Sequence, residues 1–563
     1  MAVVFIQGII PALSMITMQK IINNLQTEKA TLKAYIFLVL IYIGIDILDS
    51  IISSFYNLYY TKFSAEFDKY IKVKLLEKAV SLSLKDFENS ETFNIINRAK
   101  SQGGQNILEF YVSFTTALKV IVKISSSVLI LSSFRIWMIF AVLIFPVFKY
   151  LYSLKIGEIQ YNIHLNRTDK ERALWYTDYL IMTGIAFKEI KLYGISQFLI
   201  KKFNDIKDSF IKQDMKVLKK SAVVNVILTL GDQIISGFIF LYLIAAGLKQ
   251  TILIGDVITY TKCTFSIKND MEGIFGILSN IVKNSLFIDF LFNFFSLNET
   301  RNENGKIKID KIESIRLDSI SYRYENSEKF ALKNISFSVS PNNLLAIVGK
   351  NGTGKSTLIK IILGFYNDYE GKIYINNIDF RDIDKVSYQR RIGCVFQDYI
   401  KYETTLRENI VYGDINNMDD DKRIFSVLER AQINPQLFQD NDLDIMLGNW
   451  FGNKQISIGE WQRLAIARSF FRKADLYIMD EPDASLDVVA EMDMLNTYKS
   501  VFKDHLGIFI THKIKQVNML ADEIIVLDDN CMVEKGTHSE LMRLEGVYFT
   551  LFNAQNEDIK MKI

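Results

Sequence analysis

Residues Gly349–Ser356 read G-K-N-G-T-G-K-S, and the apolar run Leu344–Val348 leads straight into them. Three glycines at a strand-to-helix turn constrain the chain more than any other feature. Only glycine lets a backbone approach a triphosphate closely enough for successive N–H groups to point at its oxygens. The candidate binding set is therefore Gly349, Lys350, Asn351, Gly352, Thr353, Gly354, Lys355, Ser356 and Thr357. In it Lys355 reaches the β- and γ-phosphates and Ser356 ligates Mg2+. The helix expected over Thr357–Leu363 aims its positive end at the anion.

A second apolar strand, Leu476–Asp480, ends in two adjacent carboxylates, Asp480 and Glu481. Delivered beside the phosphate loop, Asp480 would hold Mg2+, directly or through a bound water, and Glu481 would polarise an attacking water. Such a pair is common by chance after a strand, and its weight comes from the loop upstream.

The first ~295 residues differ in kind. Apolar stretches Met1–Ile22, Leu32–Leu58, Phe114–Phe134, Ile136–Leu154, Ala222–Leu248 and Ile252–Phe290 are each near or above the ~20 residues that cross a bilayer. Six spans return the chain to its starting side, which must be cytosolic because the phosphate loop follows. The connections expected inside, Tyr59–Glu109 and Lys155–Lys220, are long and rich in Lys and Arg, in keeping with positive-inside orientation. A polar stretch at Asn298–Ile309 then gives way to strand pattern from Ile315. The expected division is 1–297 membrane domain, 298–312 linker and 313–563 nucleotide-binding domain. A net charge of +2 offers no bulk case for a nucleic-acid partner. Cys263, Cys394 and Cys531 are too dispersed for a metal cluster, as are the four histidines. The opening apolar stretch lacks a basic lead-in, so no cleavable signal peptide is expected.

Taken together, these motifs resemble the ATP-binding-cassette transporters over essentially the whole chain. Ser457-Ile458-Gly459-Glu460-Trp461-Gln462-Arg463 is similar to the family signature, placing Ser457, Gly459 and Glu460 in the nucleotide set. Gln397 matches the Q-loop glutamine that senses Mg2+, Asp487 in Ser485-Leu486-Asp487 the D-loop, and His512 the switch histidine on the γ-phosphate. Tyr324 matches the aromatic residue that stacks on adenine. The resemblance implies a helical transmembrane domain of six spans with long cytosolic extensions, fused to an α/β P-loop ATP-binding-cassette domain. It further implies ATP and Mg2+ as cofactors, Gln397, Glu481 and His512 as catalytic residues, and Ser356, Gln397 and Asp480 around the metal. Two such domains, arranged head-to-tail, cover each ATP with a partner's signature loop. A chain with one of each half must pair with itself or with a homologous half-transporter.

One position departs from the signature. Ile458 replaces its first glycine, and a β-branched residue tolerates φ > 0 poorly. Either the local backbone is ordinary and Ile458 fits at modest cost, or the site is weakened, as in a subunit whose partner supplies the intact signature.

Asp86–Phe93, at the tip of the first inner excursion, is similar to the coupling segment of exporters of lantibiotics and related bacteriocin peptides. Gly8–Leu13, Phe187–Gly194 and Trp450-Phe451-Gly452 agree. The expected function is ATP-driven export of such a peptide across the cytoplasmic membrane, with lipid or multidrug export as the alternative. No leader-cleaving cysteine-protease domain is expected, the first cysteine being Cys263. Ionisable residues inside the spans need partners or a wet cavity. Asp46 and Asp49 share one helix face, as do Lys119 and Lys123. The two pairs either neutralise each other or line a cavity for a charged peptide.

Overall fold

Nine helices build the first part of the described chain. They are α1 (Ala2–Thr27), α2 (Leu32–Ser81), α3 (Leu84–Glu88), α4 (Ser90–Ser132), α5 (Trp137–Leu165), α6 (Thr168–Met182), α7 (Phe187–Leu192), α8 (Ser196–Leu248) and α9 (Ile254–Phe295). The computed structural model describes residues 2–27, 31–299, 305–325, 327–341, 343–433, 442–448, 451, 454–482 and 488–560. Asp487, Trp450 and Gly452 lie outside the described residues. The chain divides into two compact units, Met1–Val80 with Asn94–Leu297 and Ser81–Phe93 with Asn298–Ile563.

In the first unit, α2 runs for 50 residues, roughly 75 Å at 1.5 Å per residue. That is more than twice the thickness of a hydrocarbon core. A helix this long continues past the membrane as the same rod, which accounts for the Lys/Arg-rich, Pro-free excursions. Five helical stretches, 3–27, 32–81, 104–132, 137–160 and 196–248, are long and apolar enough to cross a membrane.

The sixth expected span lies in α9, which is not among those five. Four of its charged residues are partnered by neighbours. Lys268 meets Asp232 of α8 at 2.6 Å with both side chains almost fully buried, Asp270 meets Lys123 of α4 at 2.8 Å, and Glu272 meets Lys149 of α5 at 2.5 Å. Asp256 accepts from Gln19 and Asn23 of α1. The expected neutralisation of Lys119 and Lys123 by Asp46 and Asp49 is thus corrected. Lys123 pairs with α9, Lys119 donates to Gln7 at 3.3 Å, and Asp46 is exposed. Neither aspartate has an ion-pair partner among the described residues.

The second unit is built on one sheet. Its strands are β1 (Ile315–Tyr322), β2 (Leu332–Val339), β3 (Leu344–Gly349), β4 (Glu370–Ile375), β5 (Ile378–Asp379), β6 (Ile392–Val395), β7 (Leu476–Asp480), β8 (Leu506–Ile510), β9 (Glu523–Asp528) and β10 (Cys531–Gly536). Their order is β5-β4-β1-β2-β10-β9-β3-β8-β7-β6, with β9, β3, β8, β7 and β6 parallel. Every residue of β3, β7 and β8 is buried, as parallel strands covered on both faces require. Alternate residues feed opposite faces: Leu476 and Ile478 join one core cluster, Tyr477 and Met479 the other. The covering helices are α10 (Lys355–Ile362), α11 (Lys385–Gln389), α12 (Leu406–Val411), α13 (Asp421–Arg430), α14 (Ile458–Phe471), α15 (Val488–Phe502), α16 (Ile514–Leu520), α17 (His538–Leu544) and α18 (Val547–Lys560).

The pairing of α9 is open to test through Lys268 and Asp232. Asp232→Asn leaves a buried ammonium uncompensated and should cost about 3–5 kcal/mol of stability. Replacing both with apolar residues (Asp232→Leu with Lys268→Met) should restore most of the loss. Thermal unfolding in detergent measures this, and a double variant no more stable than the single one would count against the pairing.

Candidate active site

β3 ends at Gly349 and α10 begins at Lys355, so the loop between them turns the chain from the sheet into a helix within five residues. Two glycines make that turn, Gly352 at φ +85° and Gly354 at φ +94°. A Cβ on Gly354 would also lie 2.4 Å from the Ala331 carbonyl oxygen. The helix opens at Lys355, two residues earlier than the sequence implied. Lys355 is 7% exposed, and its Nζ donates to the carbonyls of Gly349 (2.8 Å) and Lys350 (2.9 Å). Burial lowers its pKa, opposed by the nearby Glu481 and Asp480. A buried ammonium resting on main-chain carbonyls at the mouth of a glycine loop is set to receive phosphate oxygens.

β7 delivers the carboxylates. Asp480 is 5% exposed, and burial, aided by the adjacent Glu481, pushes its pKa up to about 6 against the pull of Lys355. Glu481 turns out of the strand with φ +48°, an unusual backbone for a residue with a side chain, and its N–H donates to Ile510 O at 2.9 Å. Its carboxylate is held between two groups. Gln397 Nε2 donates to Oε2 at 2.8 Å, and His512 Nδ1 lies 3.3 Å from Oε1. Tyr324 reaches the loop helix from β1, its hydroxyl 3.0 Å from Thr357 Oγ1.

These groups surround a cavity of about 610 Å3. Tyr324, Gly349, Lys350, Asn351, Gly352, Gly354, Lys355, Ser356, Thr357, Gln397, Glu481 and His512 line it; Thr353 and Asp480 do not. Ser356, Gln397 and Asp480 present a hydroxyl, an amide and a carboxylate, hard oxygen donors of the type Mg2+ takes. The amide donors of the loop and Lys355 suit a triphosphate, so the residues present fit Mg-nucleotide.

Ser457, Gly459 and Glu460 do not line this cavity. They form the start of α14, where Ser457 and Glu460 make a capping box: Glu460 N–H donates to Ser457 Oγ, and Ser457 N–H to the Glu460 carboxylate. Ile458 is the first residue of this helix, 59% exposed, and is not among the residues with positive φ. Its backbone is ordinary, so the substitution carries no local strain.

Sequence reasoning missed part of the lining. Leu551 and Gln555 of α18 and Ile514 of α16 also line the cavity, and no motif marks them. The segment Ser81–Phe93 packs within this unit: Glu88 pairs with Lys360 (2.8 Å) and accepts from the Tyr366 hydroxyl (2.5 Å), while Lys85 pairs with Asp368. Tyr366 in turn packs edge-on against Tyr324, ring centres 6.0 Å apart, so α3 is two contacts from the cavity wall. The D-F-E-N tetrad has a local logic. Asp86 caps α3 with Ser83, Glu88 makes the pairings, and Asn89 Oδ1 accepts from the first N–H groups of α4.

Comparison with known proteins gives concordant results. The family profile described as "ABC transporter" matches residues 332–484. The subtilin transport ATP-binding protein SpaT of Bacillus subtilis is 34% identical over 98% of this chain and 90% of its own length. The nisin transport ATP-binding protein NisT of Lactococcus lactis subsp. lactis is 31% identical over 98% of this chain and 92% of its own. A solved structure of a bacterial Atm1-family ABC exporter with ATP bound superposes with a TM-score of 0.80, covering 98% of both chains at 18% identity.

The raised pKa of Asp480 predicts a pH-dependent cost. Below about pH 4 the residue is protonated in folded and unfolded chains alike and contributes nothing. As pH rises through about 6 the folded chain must hold a buried carboxylate, and stability falls. Without nucleotide, Asp480→Asn should therefore be more stable than the wild type at neutral pH, by on the order of 2 kcal/mol. That gain should vanish near pH 4. Unfolding midpoints of the two proteins across pH measure it, and a gain independent of pH would refute the assignment.

Proposed function

We propose, for a chain that belongs to the ATP-binding-cassette transporter family, that the cavity at the strand ends hydrolyses ATP to export a peptide. As an exporter of this family it is a multi-pass cell-membrane protein that couples transport to ATP hydrolysis with Mg2+, its nucleotide-binding half cytosolic. The observation that carries the proposal is the convergence of Lys355, Gln397, Glu481 and His512 on one cavity.

In this reading Tyr324 would stack on the adenine. The loop amides and Lys355 would hold the phosphates, and Ser356, Asp480 and Gln397 would hold Mg2+, which would supply neutralising charge to the transferring phosphoryl group. Glu481 accepts the proton of the attacking water. Its left-handed backbone turns its side chain from β7 towards the loop, and Gln397 and His512 hold the carboxylate from both sides. His512 then faces the γ-phosphate.

A second copy of the chain completes the site. Two features support this. The signature residues are displaced from their own cavity and present the capped start of α14, with Ile458 exposed. At the α6–α7 tip of the second excursion, Met182, Ile185, Phe187, Leu192 and Tyr193 are all more than half exposed, an apolar cluster that asks for a protein partner. Since one chain carries every proposed catalytic group, two copies would build two equivalent sites.

The peptide cargo rests on two supports. Two relatives that match 98% of the chain are named for subtilin and nisin transport. In the membrane half, Lys119 and Lys123 are engaged elsewhere, which leaves Asp46 and Asp49 on the exposed helix α2. A carboxylate in a membrane span is costly unless it meets water or a cation. A cationic peptide in a cavity lined by α2 supplies the latter.

The purified chain should therefore be a dimer whose ATPase is stimulated by a cationic amphipathic peptide. Combined Asp46→Asn and Asp49→Asn should bring the ratio of stimulated to basal turnover towards one. Stimulation by lipids or drugs with no response to any peptide would assign the cargo to lipid or multidrug export. Turnover only after addition of a homologous subunit would replace the homodimer by a heterodimer.

A further inference from the structure

The proposed switch residue His512 sits between β8 and α16, on a three-residue connection in which Lys513 N–H donates to Thr511 Oγ1. One side chain from the far end of the chain meets both flanks. Gln555 of α18 accepts from Ile514 N–H through Oε1 at 2.9 Å, and its Nε2 donates to the carbonyl oxygen of His512. A single amide thus spans the switch as a paired strand would. One turn earlier on the same helix face, Leu551 joins Gln555 in lining the nucleotide cavity. From the other side, Glu491 of α15 holds Lys513 Nζ (2.5 Å) and Gln516 Nε2 (2.6 Å).

We infer that Gln555 is a positioning residue for His512, and that α18 sets the switch through it. The chemistry favours this over a merely structural contact. The His512 imidazole is half-exposed, and among the described residues its one polar side-chain neighbour is Glu481 at 3.3 Å, so its direction depends on how its backbone is held. Gln555 fixes the peptide groups on both sides of Lys513, removing the rotation that would swing the imidazole away from Glu481 and the cavity. The same face of α18 borders the nucleotide cavity, so the residue that holds the switch backbone stands beside the group the switch would act on. The N-terminal part of α18 is anchored independently. Tyr548 and Leu551 pack on the core cluster containing Val348, the residue before the loop, and the main-chain N–H groups of Val547 and Tyr548 donate to Glu534.

This inference rests on the reading of His512 as the γ-phosphate switch, and the experiment separates the two. In the full-length purified protein, Gln555→Ala should lower kcat about five- to thirty-fold, the effect of two lost hydrogen bonds on an otherwise intact site. KM, direct MgATP binding and the unfolding midpoint should stay within twofold or a degree or so of wild type. Gln555→Glu keeps the acceptor for Ile514 but cannot donate to His512, and should be at least as slow. In a His512→Ala background, Gln555→Ala should cause no further loss, since it acts through a group already removed. Wild-type kcat in Gln555→Ala alongside an inactive His512→Ala would overturn the role of Gln555 and leave the switch reading standing. An active His512→Ala would overturn the switch reading itself. Losses that multiply in the double variant, or a fall in kcat matched by a fall in MgATP binding, would reduce Gln555 to a packing contact.

Discussion

The shared register of β3, β8 and β7 is the constraint on which the rest of the catalytic half depends. Ile347 is level with Ile510, and Ile510 with Asp480. The next residues along each strand end are therefore the phosphate loop, His512 and Glu481, all at the carboxyl edge of one parallel sheet. A slip of one residue in any strand would turn its apolar set to the wrong face and misplace one of the three groups. Full burial of these strands fixes the register, so core packing and site geometry are a single property. The same burial has a cost at Asp480, whose carboxyl is held well above its ordinary range. A site that gathers phosphate oxygens and Mg2+ can carry that cost, because the cation offsets it when bound.

Much of this was legible in the sequence because it follows from local rules. Glycines at fixed spacing mark the loop, and β3 and β7 are continuous apolar runs whose observed ends lie within a residue of those expected. Helical length in the membrane half was legible from the absence of Pro in the excursions. What could not be read depends on which distant residues meet. Lys123 chooses Asp270 over Asp46 or Asp49 because α4 packs on α9, and no spacing rule encodes that choice. The backbone of Glu481 at φ +48° and the reach of Gln555 across the switch are equally tertiary. Leu84–Glu88 could be matched to a coupling segment, yet its attachment through Glu88, Lys360 and Tyr366 needed the fold.

Ile458 shows how a departure from a motif is weighed. A glycine in a signature suggests a need for φ > 0 or for space. The structure gives Ile458 ordinary helical backbone behind a complete capping box, which removes the first need. Its side chain projects outward, so whatever it costs is set by what lies opposite it in a partner. The nucleotide cavity and the signature occupy separate places on one chain, and the proposed dimer is the arrangement that brings them together.

The most direct test of the account is the steady-state ATP turnover of Glu481→Gln at saturating MgATP. The amide preserves the size of the side chain and its place between Gln397 and His512 but cannot accept a proton. The account predicts a fall of about 10²–10⁴-fold with nucleotide still bound. Turnover within about threefold of the wild type would contradict it, because the loss of a working base is far larger than that.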